Sequence, residues 1–319
     1  MRRSRARLFS SLATLAAAAV TLSACTAEDP TAQPGAENGA AGGKEGSIVI
    51  GTANFPESEI IGQLWAATLE AAGFDVEVKS GIGSREVYMK ALESGEVDIV
   101  PEYTGNLAQF YSAEVTPGAD ADAVYSSLNS VLPEELKAAK MAPAESKDAY
   151  HVTEETARTY QLATLGDLKK LQDAEGITIA ANPELAQRPY GPRGLAQSYG
   201  LNKQDIKVNA ISDGGGPLTI AALLEGQASV ADVYTTSPTL DREGKEINLV
   251  RLEDPKNLIP AQNLVPIYRA ESVDSQAVEA LDELNADLST EDVVAMNLRN
   301  VGAEKAEPAT IAREFLSKA

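Results

Sequence analysis

The chain has 319 residues, 44% of them hydrophobic, which is enough for about two domains with sizeable cores. Its formal net charge of −20 excludes a basic face for nucleic acid and any attraction to anionic lipid. A single histidine, His151, and a single cysteine, Cys25, exclude a His/Cys zinc site, and no sequence around His151 supports a nucleophile triad. Chemistry based on carboxylates alone stays open, because the chain has 47 Asp and Glu residues.

The chain begins as a targeting segment. Arg2, Arg3, Arg5 and Arg7 form a basic stretch, and residues 8–22 form an apolar one too short to span a bilayer comfortably. It ends in Leu22-Ser23-Ala24-Cys25, which resembles the bacterial lipobox. The reading is a lipoprotein signal over residues 1–24, with Cys25 lipidated and anchoring the chain on the extracytoplasmic face of the membrane. Residues 25–46 are rich in Ala, Gly, Pro, Glu and Thr and lack large apolar side chains, so they read as a flexible tether.

From residue 47 the pattern alternates strand and helix, which argues a mostly parallel sheet. Residues 47–52 (SIVIGT) read as a strand. The loop Asn54-Phe55-Pro56-Glu57 opens a helix with Ile60, Ile61, Leu64, Trp65 and Leu69 on its apolar stripe, stopping at Gly73. Val76 and Val78 mark a second strand, and Gly81-Ile82-Gly83-Ser84 turns into the next helix. That glycine pair lacks the third glycine of a dinucleotide fingerprint. The stretch 91–106 (ALESGEVDIVPEYTGN) reads as a helix end, a glycine turn and a buried strand. Pro101 is expected to stop the strand ladder because it has no N–H. Tyr103-Thr104-Gly105 then emerge at the carboxyl end of the strand, where open α/β sheets bind ligands.

Residues 118–140 read as helical, 149–152 as a strand crossing to a second lobe, 162–171 as a helix and 177–181 as a strand. Residues 183–199 read as helix, turn, helix, and 206–211 as a strand. Gly214-Gly215-Gly216 precede a helix and read as a turn rather than an anion site. Residues 222–236 (ALLEGQASVADVYTT) then repeat the earlier unit without a gap: Ala222 falls on Ala91, Gly226 on Gly95 and Tyr234 on Tyr103. Two such units suggest two α/β lobes, each offering a tyrosine to a shared cleft. Residues 247–252 and 264–268 are further strands, and helices are expected over 275–287, 290–300 and 308–318. Helices that follow the second lobe usually pack back on the first. This gives lobe one as 47–147 with 255–319, and lobe two as 148–254, joined by two crossovers acting as a hinge.

The run GEVDIVPEYTGN resembles the signature of the osmoprotectant-type substrate-binding proteins of ABC transporters, the binders of glycine betaine, choline and carnitine. GTANFPESEIIGQLWAATLEAAG, GIGSREVYMKALESGE, ATLGDLKKL, ELAQRPYGPRGLAQSYGL, ADVYTT and EPATIAREFL also fit, so the resemblance spans about 47–319. It implies a two-lobed type II periplasmic-binding-protein fold with a ligand cleft between the lobes. It further implies a monomer that delivers a quaternary-ammonium solute to a permease, with no cofactor and no catalysis. Carried over by motif, Tyr103, Tyr150 and Tyr234 would form an aromatic cage, and Arg188 would grip a ligand carboxylate with its bidentate fork. Three positions depart: Asn106 stands where many members have threonine or aspartate, and Asn54 where some have lysine. Gln262 stands near where the family often has a fourth cage tyrosine. All three are candidate ligand contacts that alter specificity. Three rival readings remain: the same fold binding another small zwitterion, such as ergothioneine or an amino-acid-like solute, a cell-envelope enzyme using carboxylates, or a passive adhesion or scaffold lipoprotein.

Overall fold

The computed structural model describes residues 46–116 and 118–318. The signal segment, Cys25 and most of the tether lie outside the described residues. The chain opens with β1 (Ile48–Ala53), whose six residues are all buried, and α1 (Pro56–Ala71). Pro56 sits at the first helical positions, where a missing N–H is harmless. Gly73, at φ +96°, ends the turn after the helix. Then follow β2 (Val76–Gly83), α2 (Arg85–Glu93), β3 (Ile99–Tyr103), α3 (Thr104–Phe110), α4 (Ala121–Val131) and β4 (Leu136–Ala138). The chain continues with β5 (Tyr150–Thr153), α5 (Glu154–Tyr160), α6 (Leu168–Glu175), β6 (Ile177–Ala181), α7 (Pro192–Tyr199), β7 (Ile206–Ala210), α8 (Pro217–Leu224), β8 (Val230–Asp232) and β9 (Leu249–Arg251). It closes with β10 (Leu264–Arg269), α9 (Ser275–Asp287), α10 (Thr290–Val301) and α11 (Pro308–Leu316).

Two five-stranded sheets result, in the orders β2-β1-β3-β10-β4 and β7-β6-β8-β5-β9. In each, three parallel strands are followed by an antiparallel strand that has just entered from the other sheet. The chain therefore crosses between the lobes before β5 and again before β10. The closing helices α9, α10 and α11 pack on α1, beside the first sheet. Trp65, buried in α1, donates to Asn285 of α9 at 3.2 Å and fixes that packing. Among the described residues no helix is long and apolar enough to cross a membrane.

Several elements differ from what the sequence leads one to expect. β3 runs through Pro101 instead of stopping there. Pro101 lies opposite Pro266 of β10, and the Pro266 carbonyl turns away to accept from Ala139 at 2.9 Å. The two prolines thus meet at a position where facing residues exchange no N–H bonds, so neither lacks a donor. The helical stretch near 118–140 ends at Val131, and Leu136–Ala138 joins the sheet edge beside β10. The expected helix over 162–171 begins as a 3-10 turn at Leu165–Asp167, with Thr164 and Asp167 forming a capping box. The first helix expected after residue 183 is only the 3-10 turn Pro183–Ala186. The short helices α3 and α5 have no counterpart among the sequence expectations.

Candidate functional site

A cavity of about 1100 Å³ lies between the two sheets, at the carboxyl ends of β1, β3, β6 and β8. It lies just above the roughly 300–1,000 Å³ range of ligand pockets. Asn54, Tyr103 and Asn106 line it from the first lobe, and Arg188 and Tyr234 from the second. A separate cavity of about 230 Å³ between α1, β2 and α11 is lined by none of these.

Tyr103 ends β3, and its hydroxyl donates to Glu57 Oε1 at 2.6 Å. Glu57 occupies the acidic first turn of α1, where a carboxylate suits the positive end of the helix dipole. Its other oxygen accepts from Asn297 Nδ2 of α10 at 2.6 Å and from the Thr236 hydroxyl beyond β8. These bonds hold the Tyr103 ring in place. The Phe55 ring stands beside it, with centroids 6.4 Å apart and a tilt of 30°. Burial, reinforced by Glu57, pushes the Tyr103 hydroxyl well above the ordinary phenol range, so the ring stays neutral.

Arg85 and Tyr88, at the start of α2, converge on Glu102 of β3. The guanidinium forks onto both carboxylate oxygens at 2.7 and 3.0 Å, and the Tyr88 hydroxyl donates at 2.7 Å. The Tyr103 amide adds a fourth bond at 2.9 Å. Burial opposes the Arg85 charge, yet the attraction of Glu102 outweighs it and holds the guanidinium protonated. Arg85 is thus already neutralised within the protein. Arg188 is not: among the described residues its side chain has no hydrogen-bonding or ion-pair partner. Its segment is held tightly, for a Cβ on Gly194 would fall 2.0 Å from the Pro189 carbonyl oxygen.

In the second lobe Asn182 Nδ2 donates to the Tyr234 hydroxyl at 2.6 Å. The triple glycine forms a turn against β8. Gly215 has φ +72°, and a Cβ there would lie 2.8 Å from the Asp232 carbonyl oxygen, so glycine alone fits. The N-terminus of α8 is filled by the Asp213 carboxylate, which accepts from the amides of Leu218 and Thr219 at 2.7 and 3.1 Å.

Two of the sequence candidates stand behind the cavity rather than in it. Tyr150 is fully buried, and its hydroxyl donates to the Tyr190 carbonyl at 2.9 Å. Gln262 is fully buried too. Its Oε1 accepts from the Asn106 amide at 2.9 Å, and its Nε2 donates to Asn106 Oδ1 at 3.0 Å. Gln262 therefore orients Asn106 instead of replacing a cage wall. Sequence reasoning missed Phe55, Glu57, Arg85, Tyr88, Asp148 and Asn182. One signal was present for part of this set: a glutamate inside an otherwise buried strand, as Glu102 is, demands a cationic partner nearby. The aromatic lining is thus Phe55, Tyr88, Tyr103, Phe110 and Tyr234. Among the described residues no group of His, Cys, Asp or Glu is placed to hold a metal ion.

Residues 46–318 match the family described as the substrate-binding domain of ABC-type glycine betaine transport systems. A glycine-betaine-binding protein of Pseudomonas aeruginosa is 32% identical over 283 residues, covering 85% of this chain and 87% of that one. A carnitine transport binding protein of Listeria monocytogenes is 25% identical over 298 residues, covering 88% and 89%. Among solved structures, a glycine betaine/carnitine/choline ABC transporter protein superposes with a TM-score of 0.66 at 21% identity, covering 85% of this chain and 98% of that one. These likenesses agree with the two sheets and the cleft between them, and the chain is a two-lobed member of the family of substrate-binding domains of ABC-type glycine betaine transport systems.

Proposed function

We propose that this chain captures a quaternary-ammonium osmolyte of the glycine betaine, choline or carnitine kind in its cleft and hands it to the permease of an ABC importer. One observation carries this reading: aromatic faces line the same cavity as Arg188, an arginine that makes no ion pair among the described residues. A trimethylammonium group donates no strong hydrogen bond, so π faces hold it, each worth roughly 0.5–2 kcal/mol. Phe55, Tyr88, Tyr103 and Tyr234 would surround it, Arg188 would take a carboxylate, and Asn54 and Asn106 would complete the polar lining. Tyr150 and Gln262 would act by supporting Tyr190 and Asn106. The protein would work as a monomer, anchored through Cys25 on the extracytoplasmic face, and would bind without catalysis.

A second reading keeps the mechanism and enlarges the solute. The cavity is large for glycine betaine, which favours a bulkier betaine such as ergothioneine. Calorimetric titration with glycine betaine, choline, carnitine and ergothioneine separates the two. Arg188→Ala should weaken the carboxylate-bearing solutes and spare choline, while Tyr234→Ala should weaken all of them. Failure of a folded protein to bind any of the four would sink both readings.

A further inference from the structure

One group in the cavity lining carries a charge that the protein does not match. Glu57, Glu102 and Asp232 are the buried carboxylates among the described residues, and Glu57 alone of the three lines the cavity. Glu102 is neutralised by Arg85. Glu57, 6% exposed, makes no ion pair among the described residues. Its partners are the Tyr103 hydroxyl, the Thr236 hydroxyl and the Asn297 amide, all of them uncharged. The same Asn297 atom donates to the Thr236 carbonyl at 3.0 Å, which can only accept, so the amide turns its nitrogen toward Glu57.

A buried charge is costly unless a counter-charge stands near it, and neutral donors offset only part of that cost. In a partly dry pocket the same charge attracts any cation that enters. The path for that attraction is short. The Tyr103 hydroxyl is bonded to Glu57 at 2.6 Å, and Phe55, two residues before Glu57, stands beside the Tyr103 ring. A cation held on the Tyr103 face sits within about 6 Å of the ring centre, so the carboxylate at the hydroxyl end of that ring acts on it at close range. The bond to an anion also polarises the ring toward greater negative density. The other acidic side chains of the lining are placed differently. Glu86 and Glu184 are exposed, so water and salt screen them. Asp213 fills the N-terminus of α8. Asp148 is half-buried in the second lobe, where it accepts from the Tyr190 hydroxyl at 2.7 Å.

We propose that Glu57 is a specificity-determining residue: its carboxylate is the counter-charge for the ligand's ammonium group, and it makes the cavity select a cation over an uncharged group of the same shape. This rests on the quaternary-ammonium reading and gives it a direction. The ammonium group goes to the Phe55 and Tyr103 end of the cavity, beside Glu57. A carboxylate, where the solute has one, goes to Arg188.

The test is calorimetric titration of the full chain with choline and with glycine betaine, each beside its tert-butyl analogue, in which carbon replaces the ammonium nitrogen and the shape is kept. The native chain should prefer the charged solute to its analogue. In Glu57→Gln that preference should fall at least about tenfold, the weight of one charge at this range in a partly dry pocket. Glu57→Asp, which keeps the charge, should keep the preference. Tyr103→Phe, which keeps ring and carboxylate but breaks their bond, should keep most of it. A role in packing alone would weaken solute and analogue equally, so a Glu57→Gln chain with the native preference overturns the proposal. So does a Tyr103→Phe chain that loses the preference as fully as Glu57→Gln, because ring placement is then the cause. Should Glu57→Gln fail to fold, Glu57→Leu combined with Tyr103→Phe removes acceptor and donor together and takes its place. Measured against Tyr103→Phe alone, it should show the same tenfold loss, and an unchanged preference overturns the proposal. Failure of the native chain to bind either charged solute would instead sink the quaternary-ammonium reading itself, a result read without any variant.

Discussion

Arg85 and Arg188 line one cleft, and their surroundings give them opposite weights. Arg85 is forked onto a fully buried Glu102. Truncating it to alanine strands that carboxylate, and breaking such a pair costs about 3–5 kcal/mol. Among the described residues Arg188 makes no ion pair, so its truncation should change stability by no more than about 0.5 kcal/mol. It should instead remove a charge-assisted bond to a ligand carboxylate, worth about 1.5–3 kcal/mol of affinity. Denaturant melts and titrations of Arg85→Ala and Arg188→Ala should therefore cross: one variant unstable, the other stable and weak in binding. Two variants with equal stability loss would contradict this division. Arg188 was legible in the sequence through its motif. Arg85 was not, because its meaning depends on Glu102 standing seventeen residues away on the neighbouring strand.

At the scale of elements, the repeat read from the sequence extends to single hydrogen bonds. Gly95 and Gly226 donate to Leu92 and Leu223, and Glu96 and Gln227 donate to Ala91 and Ala222. Ile50 pairs with Ile99 in the first sheet as Ile179 pairs with Val230 in the second. Such local units carry their own signals, namely a glycine at positive φ and an apolar run. The strand Leu136–Ala138 carries none, since three residues are too few for a period and only β10 beside it makes them a strand. The segment that presents Arg188 is likewise set by close packing. A methyl group at Gly194 would overlap the Pro189 carbonyl and force the segment from 188 to 194 apart. Gly194→Ala should weaken carboxylate-bearing ligands at least about tenfold, or about 1.4 kcal/mol, in a chain that remains folded. Gly166→Ala, whose methyl would meet Tyr199 at an ordinary 3.4 Å, is the control and should bind as the native chain does. Equal affinities in native and Gly194→Ala chains would show that the segment relaxes without moving Arg188.

For the whole molecule, two buried groups set opposite edges to its stability against pH. His151 lies between Ala149, whose carbonyl contacts its Nδ1 at 2.9 Å, and Arg251 on the paired strand. Burial lowers its pKa from 6.5, Arg251 adds to the lowering, and the Ala149 carbonyl opposes it. The unfolded chain then binds the imidazole proton more tightly than the folded one. The contribution of His151 is therefore intact above about pH 6.5 and is lost as pH falls toward its folded value, with a slope of at most about 1.4 kcal/mol per pH unit. Asp232 acts in the other direction. Its carboxyl is raised, so the folded chain holds that proton more tightly, and the contribution is present below the ordinary carboxylate range and lost as pH rises through the folded value. Stability should accordingly rise on acidification wherever Asp232 dominates and fall again as the imidazole charges. Melting His151→Gln and Asp232→Asn beside the native chain across this range should flatten the acidic and the alkaline limb respectively. Because the chain has a single histidine, its imidazole protons give one assignable NMR titration. A midpoint below 6.5 is expected, and one at or above 6.5 would mean that water reaches the ring and that the acidic limb has another origin.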